Sequence, residues 1–267
     1  MTYRYFSVED AEYAYKVFGQ GEPLLLFHGF TGSSNTWEQC VQEFSMKYKV
    51  ITIDLPGHGK THCQTPKTME TFSKDVVELL NHLKMEKVHL LGYSMGGRTA
   101  LSFTIYYPEK VKTLILESAS PGLKTEEERK ARMEQDEYLA EMIQTKGIEE
   151  FVSYWENIPL FETQKHLPKE VQDQVRAERL MQTEKGLAES LLYMGTGMQP
   201  SWWDYLSKVT QPVLLIAGSK DEKFVQINRK MNELFPNSEL RIVEGAGHAI
   251  HIEQRQKFVT IVMEFIS

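Results

Sequence analysis

Short apolar runs recur along the chain, each followed by a turn and a helical stretch: Leu24–Phe27, Val50–Ile53, Val88–Tyr93, Thr113–Leu116, Val213–Ala217 and Leu240–Val243. Continuous apolar strands alternating with amphipathic helices predict a mostly parallel sheet covered by helices on both faces, an α/β fold. Two earlier stretches, Tyr3–Ser7 and Glu12–Phe18, read as paired strands at a sheet edge. The alternation stops between 121 and 207, where charged helical pattern such as Thr125–Gln144 and Lys169–Leu192 replaces it. The expected organisation is a core of residues 1–120 and 208–267 with an all-helical cap of 121–207. The cap should lie over the carboxyl ends of the strands, where open α/β sheets bind ligands.

The segment Gly92-Tyr93-Ser94-Met95-Gly96-Gly97-Arg98 lies between the apolar run Val88–Leu91 and the helix-like Thr99–Phe103. Strand, tight turn and helix with Gly-x-Ser-x-Gly at the turn describe a nucleophile elbow. It presents the Ser94 hydroxyl at a helix N-terminus, where unfilled backbone N–H groups favour negative charge. A nucleophile needs a base, and the base needs an orienting acid. His248 in Gly245-Ala246-Gly247-His248 follows the last expected strand, and Asp221 in Gly218-Ser219-Lys220-Asp221 follows Val213–Ala217. The chain order Ser, Asp, His is that of the α/β-hydrolase fold. His251 lacks the preceding glycine turn. Glu222 and Glu117 compete with Asp221 but match the acid loop less well. The expected oxyanion hole pairs the Phe30 and Met95 amides. His28 is read as ordering the first loop, Pro56-Gly57-His58-Gly59 as a structural turn, and His62, His82, His89 and His166 as surface or packing residues.

Arg98 falls one helical turn after Ser94, and a cation there suggests a carboxylate ligand, with a buried ion pair as the alternative. Arg129 and Arg132 lie three apart on one expected cap helix, and Arg176 and Arg179 repeat the spacing on another. The net charge of −7 argues against a nucleic-acid binder or a protein held at an anionic membrane surface. The two cysteines, Cys40 and Cys63, form neither a disulfide framework nor a metal pattern. The first residues lack the apolar core of a signal peptide, and the expectation is a cytoplasmic protein without stable membrane association.

Together these segments resemble the 2-succinyl-6-hydroxy-2,4-cyclohexadiene-1-carboxylate synthase family of menaquinone (vitamin K2) biosynthesis, within the α/β-hydrolase superfamily. The similarity rests on His28-Gly29-Phe30-Thr31-Gly32-Ser33 with Trp37, Asp54–Gly59, Gly92–Arg98, Glu117–Leu123, Gly218–Phe224 and Gly245–His248. In the cap it rests on Phe151–Phe161, Gly186–Ala188 and Gly195–Trp202. Thr61 departs from the more common serine. The resemblance implies a carbon–oxygen lyase without cofactor or metal, acting on a small polycarboxylate from which it eliminates pyruvate. It implies roles for Ser94, Asp221, His248, the Phe30 and Met95 amides, Tyr93, Arg98, Trp155 and Arg179. It leaves the first cap helix's contribution open between Arg129 and Arg132. The competing readings are a carboxylesterase or carbon–carbon-bond hydrolase acting through a Ser94 adduct, and a non-catalytic binding module.

Overall fold

A computed structural model describes residues 2–267. The chain opens with β1 (Arg4–Val8), β2 (Ala11–Phe18), β3 (Glu22–Phe27), α1 (Glu38–Phe44), β4 (Tyr48–Ile53) and the two-residue β5 (His62–Cys63). It continues through α2 (Met69–His82), β6 (Val88–Tyr93), α3 (Met95–Tyr106) and β7 (Val111–Glu117). Four helices follow: α4 (Glu126–Lys146), α5 (Ile148–Trp155), α6 (Lys169–Leu180) and α7 (Glu184–Met194). The chain then returns to the sheet with β8 (Val213–Gly218), α8 (Glu222–Leu234), β9 (Ser238–Val243), α9 (Ile250–Glu253) and α10 (Arg255–Ile266).

One sheet runs in the order β1-β2-β4-β3-β6-β7-β8-β9, with β5 against β2. Pairings of β2 are antiparallel, and all pairs from β4 to β9 are parallel. The apolar runs become strands because both sheet faces are covered: every residue of β6 and β8 is buried. One face packs Phe72 of α2, Phe103 of α3 and Met231 of α8, and the other packs Trp37, Phe44 of α1 and Phe258 of α10. The strand order reverses between β3 and β6, which pair with Phe27 opposite Gly92. Loops leaving the two strands there diverge and open a crevice.

The helices α4 to α7 have a core of their own, with Leu139, Ile143, Phe151 and Leu187 buried and Phe30 and Trp155 packed against it. The helical stretch Lys169–Leu192 is divided between α6 and α7, with a break over residues 181–183. Thr183 caps α7 by accepting the Gly186 N–H, and Gln182 is drawn to the core, where its Oε1 accepts the Gly59 N–H at 2.9 Å. The short strand β5 is also additional to the sequence reading. Among the described residues, no helix is long and apolar enough to cross a membrane.

Candidate active site

Ser94 sits between β6 and α3 with φ 51° and ψ −109°, a left-handed backbone that costs about 1–3 kcal/mol for a residue with a side chain. The flanking glycines are required by space. A Cβ on Gly92 would lie 2.3 Å from the Gly96 carbonyl oxygen, and one on Gly96 would lie 2.3 Å from that of Phe27. The turn is held by the Ser94 N–H, which donates to the Glu117 carbonyl of β7 at 2.8 Å.

His248 Nε2 accepts from Ser94 Oγ at 2.9 Å, and its Nδ1–H donates to Asp221 Oδ2 at 2.6 Å. Asp221 is the N-cap of α8 and also accepts the Phe224 N–H at 3.3 Å. Its loop is stitched to the His248 loop: Lys220 N–H donates to the Ala246 carbonyl at 2.8 Å, and Gly245 N–H to Ser219 Oγ at 2.9 Å. Glu253, which the sequence did not single out, accepts the N–H groups on both sides of His248, from Gly247 at 2.6 Å and Ala249 at 3.3 Å. The rival acids are elsewhere. Glu117 is engaged by His251, whose Nδ1 lies 2.8 and 2.9 Å from its two oxygens, and Glu222 is exposed.

The Met95 amide is the first of α3, and the Phe30 amide lies in the loop after β3. Among the described residues, neither donates to a protein acceptor. Two buried histidines brace the Phe30 loop. His28 Nδ1–H donates to the Gly29 carbonyl while Nε2 accepts the Leu55 N–H, and His58 Nδ1–H donates to the Pro56 carbonyl while Nε2 accepts the Thr31 N–H. Each pattern requires a neutral ring, and burial pushes the pKa values down to about 4 for His28 and about 3 for His58. Helix α6 holds the same loop, because Ser33 Oγ and Thr36 Oγ1 donate to its Glu178 at 2.6 and 2.9 Å. Burial raises the Glu178 pKa, and those hydroxyls oppose the rise.

Ser94 and His248 open into a cavity with about 950 Å³ of empty space, part of it open to solvent. Phe30, Met95, Arg98, Arg132 and Trp155 also line it. Its lining carries three cations (Arg98, Arg132 and Lys223) and no carboxylate. Arg98 is 9% exposed and forms no ion pair among the described residues, so the buried-ion-pair alternative does not hold. Burial, then the nearby Arg132 charge, push its pKa down to about 9, so it remains cationic at neutral pH. Arg132 donates to Asp136 Oδ1 at 2.8 Å. Arg129 is a correction: it does not line this cavity, because its Nε is turned to the Gly197 carbonyl at 3.2 Å.

Tyr93 and Arg179 line a smaller cavity that shares Phe30 with the first. Arg179 lies 4.6 Å over the Phe161 ring and donates to Gln164 Oε1 at 3.2 Å, with no carboxylate partner among the described residues. Burial lowers its pKa and raises that of Tyr93 well above the usual value. The Tyr93 ring packs 5.4 Å from His248 and 4.6 Å from His251. Lys223 could have been suspected from its place two residues after Asp221. The Glu117–His251 pair carries no local sequence signal. Among the described residues, no cluster of His, Cys, Asp and Glu could hold a metal.

This arrangement can move a proton through Ser94 and His248, stabilise an oxyanion at two amides, and hold anionic groups at unneutralised arginines. Residues 22–254 match the family described as the alpha/beta hydrolase fold. The chain is 45% identical over 251 residues to a putative 2-succinyl-6-hydroxy-2,4-cyclohexadiene-1-carboxylate synthase from Bacillus subtilis, covering 92% of this chain and 90% of that protein. The structure of MenH from S. aureus superposes with a TM-score of 0.92 at 38% identity, covering 94% of this chain and 97% of the other. A malate-bound thermophilic esterase from Thermogutta terrifontis superposes with a TM-score of 0.88 at 26% identity, covering 100% and 98%. By sequence, fold and coverage, the chain belongs to the 2-succinyl-6-hydroxy-2,4-cyclohexadiene-1-carboxylate synthase family of α/β hydrolases.

Proposed function

We propose that this chain converts 2-succinyl-5-enolpyruvyl-6-hydroxy-3-cyclohexene-1-carboxylate into 2-succinyl-6-hydroxy-2,4-cyclohexadiene-1-carboxylate and pyruvate in menaquinone biosynthesis. His248 draws the proton from Ser94, and Asp221 keeps the imidazole in the tautomer that can accept it. Ser94 oxygen then removes the ring proton from C2, which is acidified by the adjacent succinyl carbonyl. The electron pair moves from C2–H into C2=C3, the C3=C4 pair into C4=C5, and the C5–O bond breaks to release the enol form of pyruvate. Ser94 is restored by the proton it takes from C2, and His248 gives the proton it holds to the departing enolate oxygen, so that pyruvate leaves as the enol and both side chains return to their starting forms. The carbonyl oxygen that gains charge lies against the Phe30 and Met95 amides, each worth about 2.7–4 kcal/mol if it behaves as other such donors do.

The observation that carries this reading is the lining of the cavity: a proton-transfer pair opens into a space with three cations and no carboxylate. An ester hydrolase for neutral substrates has no use for buried, unpaired Arg98 and Arg179. Arg98, Arg132 and Arg179, with Tyr93 and Trp155, bind the substrate's carboxylates and ring. The test is an ultraviolet assay that follows diene formation and pyruvate release from the same solution. Stoichiometric appearance of both supports elimination. Accumulation of an acylated Ser94, without pyruvate, would point to a hydrolase instead. A deuterium at C2 should slow turnover if proton removal limits the rate.

A further inference from the structure

Arg98 is held in the cavity wall by neutral groups. Both of its hydrogen bonds leave from Nη1, to the Met194 carbonyl at 3.2 Å and to Gln199 Oε1 at 3.0 Å. Its Nε and Nη2 groups make none among the described residues, so their N–H groups are left for a ligand. Gln199 is 1% exposed, and its Nε2 is buried without a partner. The loop after α7 sets its place: Gln199 N–H donates to the Gly195 carbonyl at 3.1 Å, and Trp202 N–H to the Pro121 carbonyl at 2.8 Å. Trp202 Nε1–H fastens the same loop to α3 through Ser102 Oγ at 2.8 Å.

A glutamate at this position would have the same shape, leave no orphaned amide nitrogen and give Arg98 an ion-pair partner. It would also cancel the charge that faces the cavity. Arg132 shows the contrast, since its Nε is paired with Asp136 on the same helix at 2.8 Å while the rest of its guanidinium borders the cavity. We infer that Gln199 is a positioning and specificity residue: it fixes Arg98 through an uncharged acceptor, so that the full guanidinium charge is reserved for a carboxylate of the substrate. This rests on the proposal that the site takes an anionic substrate.

The test compares Gln199→Glu and Gln199→Met with the parent. The first readout is inactivation of Ser94 by phenylmethylsulfonyl fluoride, an uncharged reagent, with and without succinate as a dicarboxylate competitor. Succinate should protect the parent. Gln199→Glu should need at least about tenfold more succinate for the same protection, with its uninhibited inactivation rate unchanged. Gln199→Met keeps the charge but loosens the guanidinium, and its protection should change less than about threefold. With the enolpyruvoyl substrate, Gln199→Glu should act mainly on KM and Gln199→Met mainly on kcat. Equal succinate protection in Gln199→Glu and the parent would overturn the inference, as would no protection of the parent. Loss of uninhibited Ser94 reactivity in both variants would make Gln199 a packing residue and also overturn it. Failure of the parent to release pyruvate would sink the proposed reaction while leaving the succinate result to stand by itself.

Discussion

The two ends of the cavity are built on opposite terms. At the reactive end each side chain is answered by the protein: Ser94 by His248, His248 by Asp221, Asp221 by the Phe224 amide, and the His248 loop by Glu253. At the cationic end Arg98 is buried without a carboxylate partner among the described residues, held only by carbonyl and amide oxygens. The reactive end is therefore complete before the ligand arrives, which keeps the reorganisation cost of the reaction low. The cationic end is left incomplete, and under the proposed function its unmet charge would select for an anion.

The largest effect should come from breaking the reactive end alone. Ser94→Ala should lower kcat by about 10⁴-fold or more. Because the cationic end is intact, calorimetry should still find succinate binding within about threefold of the parent. Loss of succinate binding together with turnover would mean that the two ends are not separable.

Breaking the cationic end alone should give a smaller and selective loss. Arg98→Ala is expected to lower kcat/KM for the enolpyruvoyl substrate by about 10²-fold, through removal of one charged contact. Hydrolysis of a neutral ester such as p-nitrophenyl acetate should change by less than about threefold. Equal loss on both substrates would make Arg98 a structural residue.

Acid should reach the reactive end through its braces. Unfolded, His28 and His58 take up protons near their ordinary pKa of 6.5, whereas folded they resist until about 4 and about 3. The unfolded chain thus binds more protons between these values, so stability is complete above pH 6.5 and falls as the pH drops towards 4. Each ring should contribute about 2–3 kcal/mol to that fall. Urea titrations from pH 7.5 to 4.5 measure it, and His58→Gln should flatten the slope. An unchanged slope would mean that the His58 ring is not held neutral.

The smallest effect expected is on folding. Arg98→Leu combined with Gln199→Leu removes donor and acceptor together, so Tm should stay level or rise by about 2–4 °C while activity is lost. A fall of several degrees would show that this pair supports the fold rather than the ligand.

The reactive end was legible in the sequence because its signals are local and steric. Gly92, Ser94 and Gly96 carry the elbow by themselves, and Asp221 and His248 each stand in the loop after an apolar run. The cationic end was legible only in part. Arg98 follows from helical spacing, but Arg129 and Arg132 lie on a 21-residue helix rich in charge on every side, and only packing decides which one turns inward. Gln199 is a neutral residue in an irregular loop, and its meaning depends on Arg98, 101 positions away. The break within 169–192 has little local signature, because the charged helical pattern runs through it; there Thr183 caps α7 and Gln182 accepts the Gly59 N–H. His251 and Glu117 come together across 134 positions, and a pairing so remote leaves no periodic trace.

The place where α4 to α7 enter the chain has an evolutionary consequence. Ser94 precedes that block, Asp221 and His248 follow it, and their mutual bonds use no atom from it. A lineage could exchange one contiguous stretch between β7 and β8 and inherit the acid–base machinery unaltered. Arg98 stands on α3, outside that stretch, but Met194 and Gln199, which hold its guanidinium, lie inside it, so each exchange would reset what this cation is free to bind.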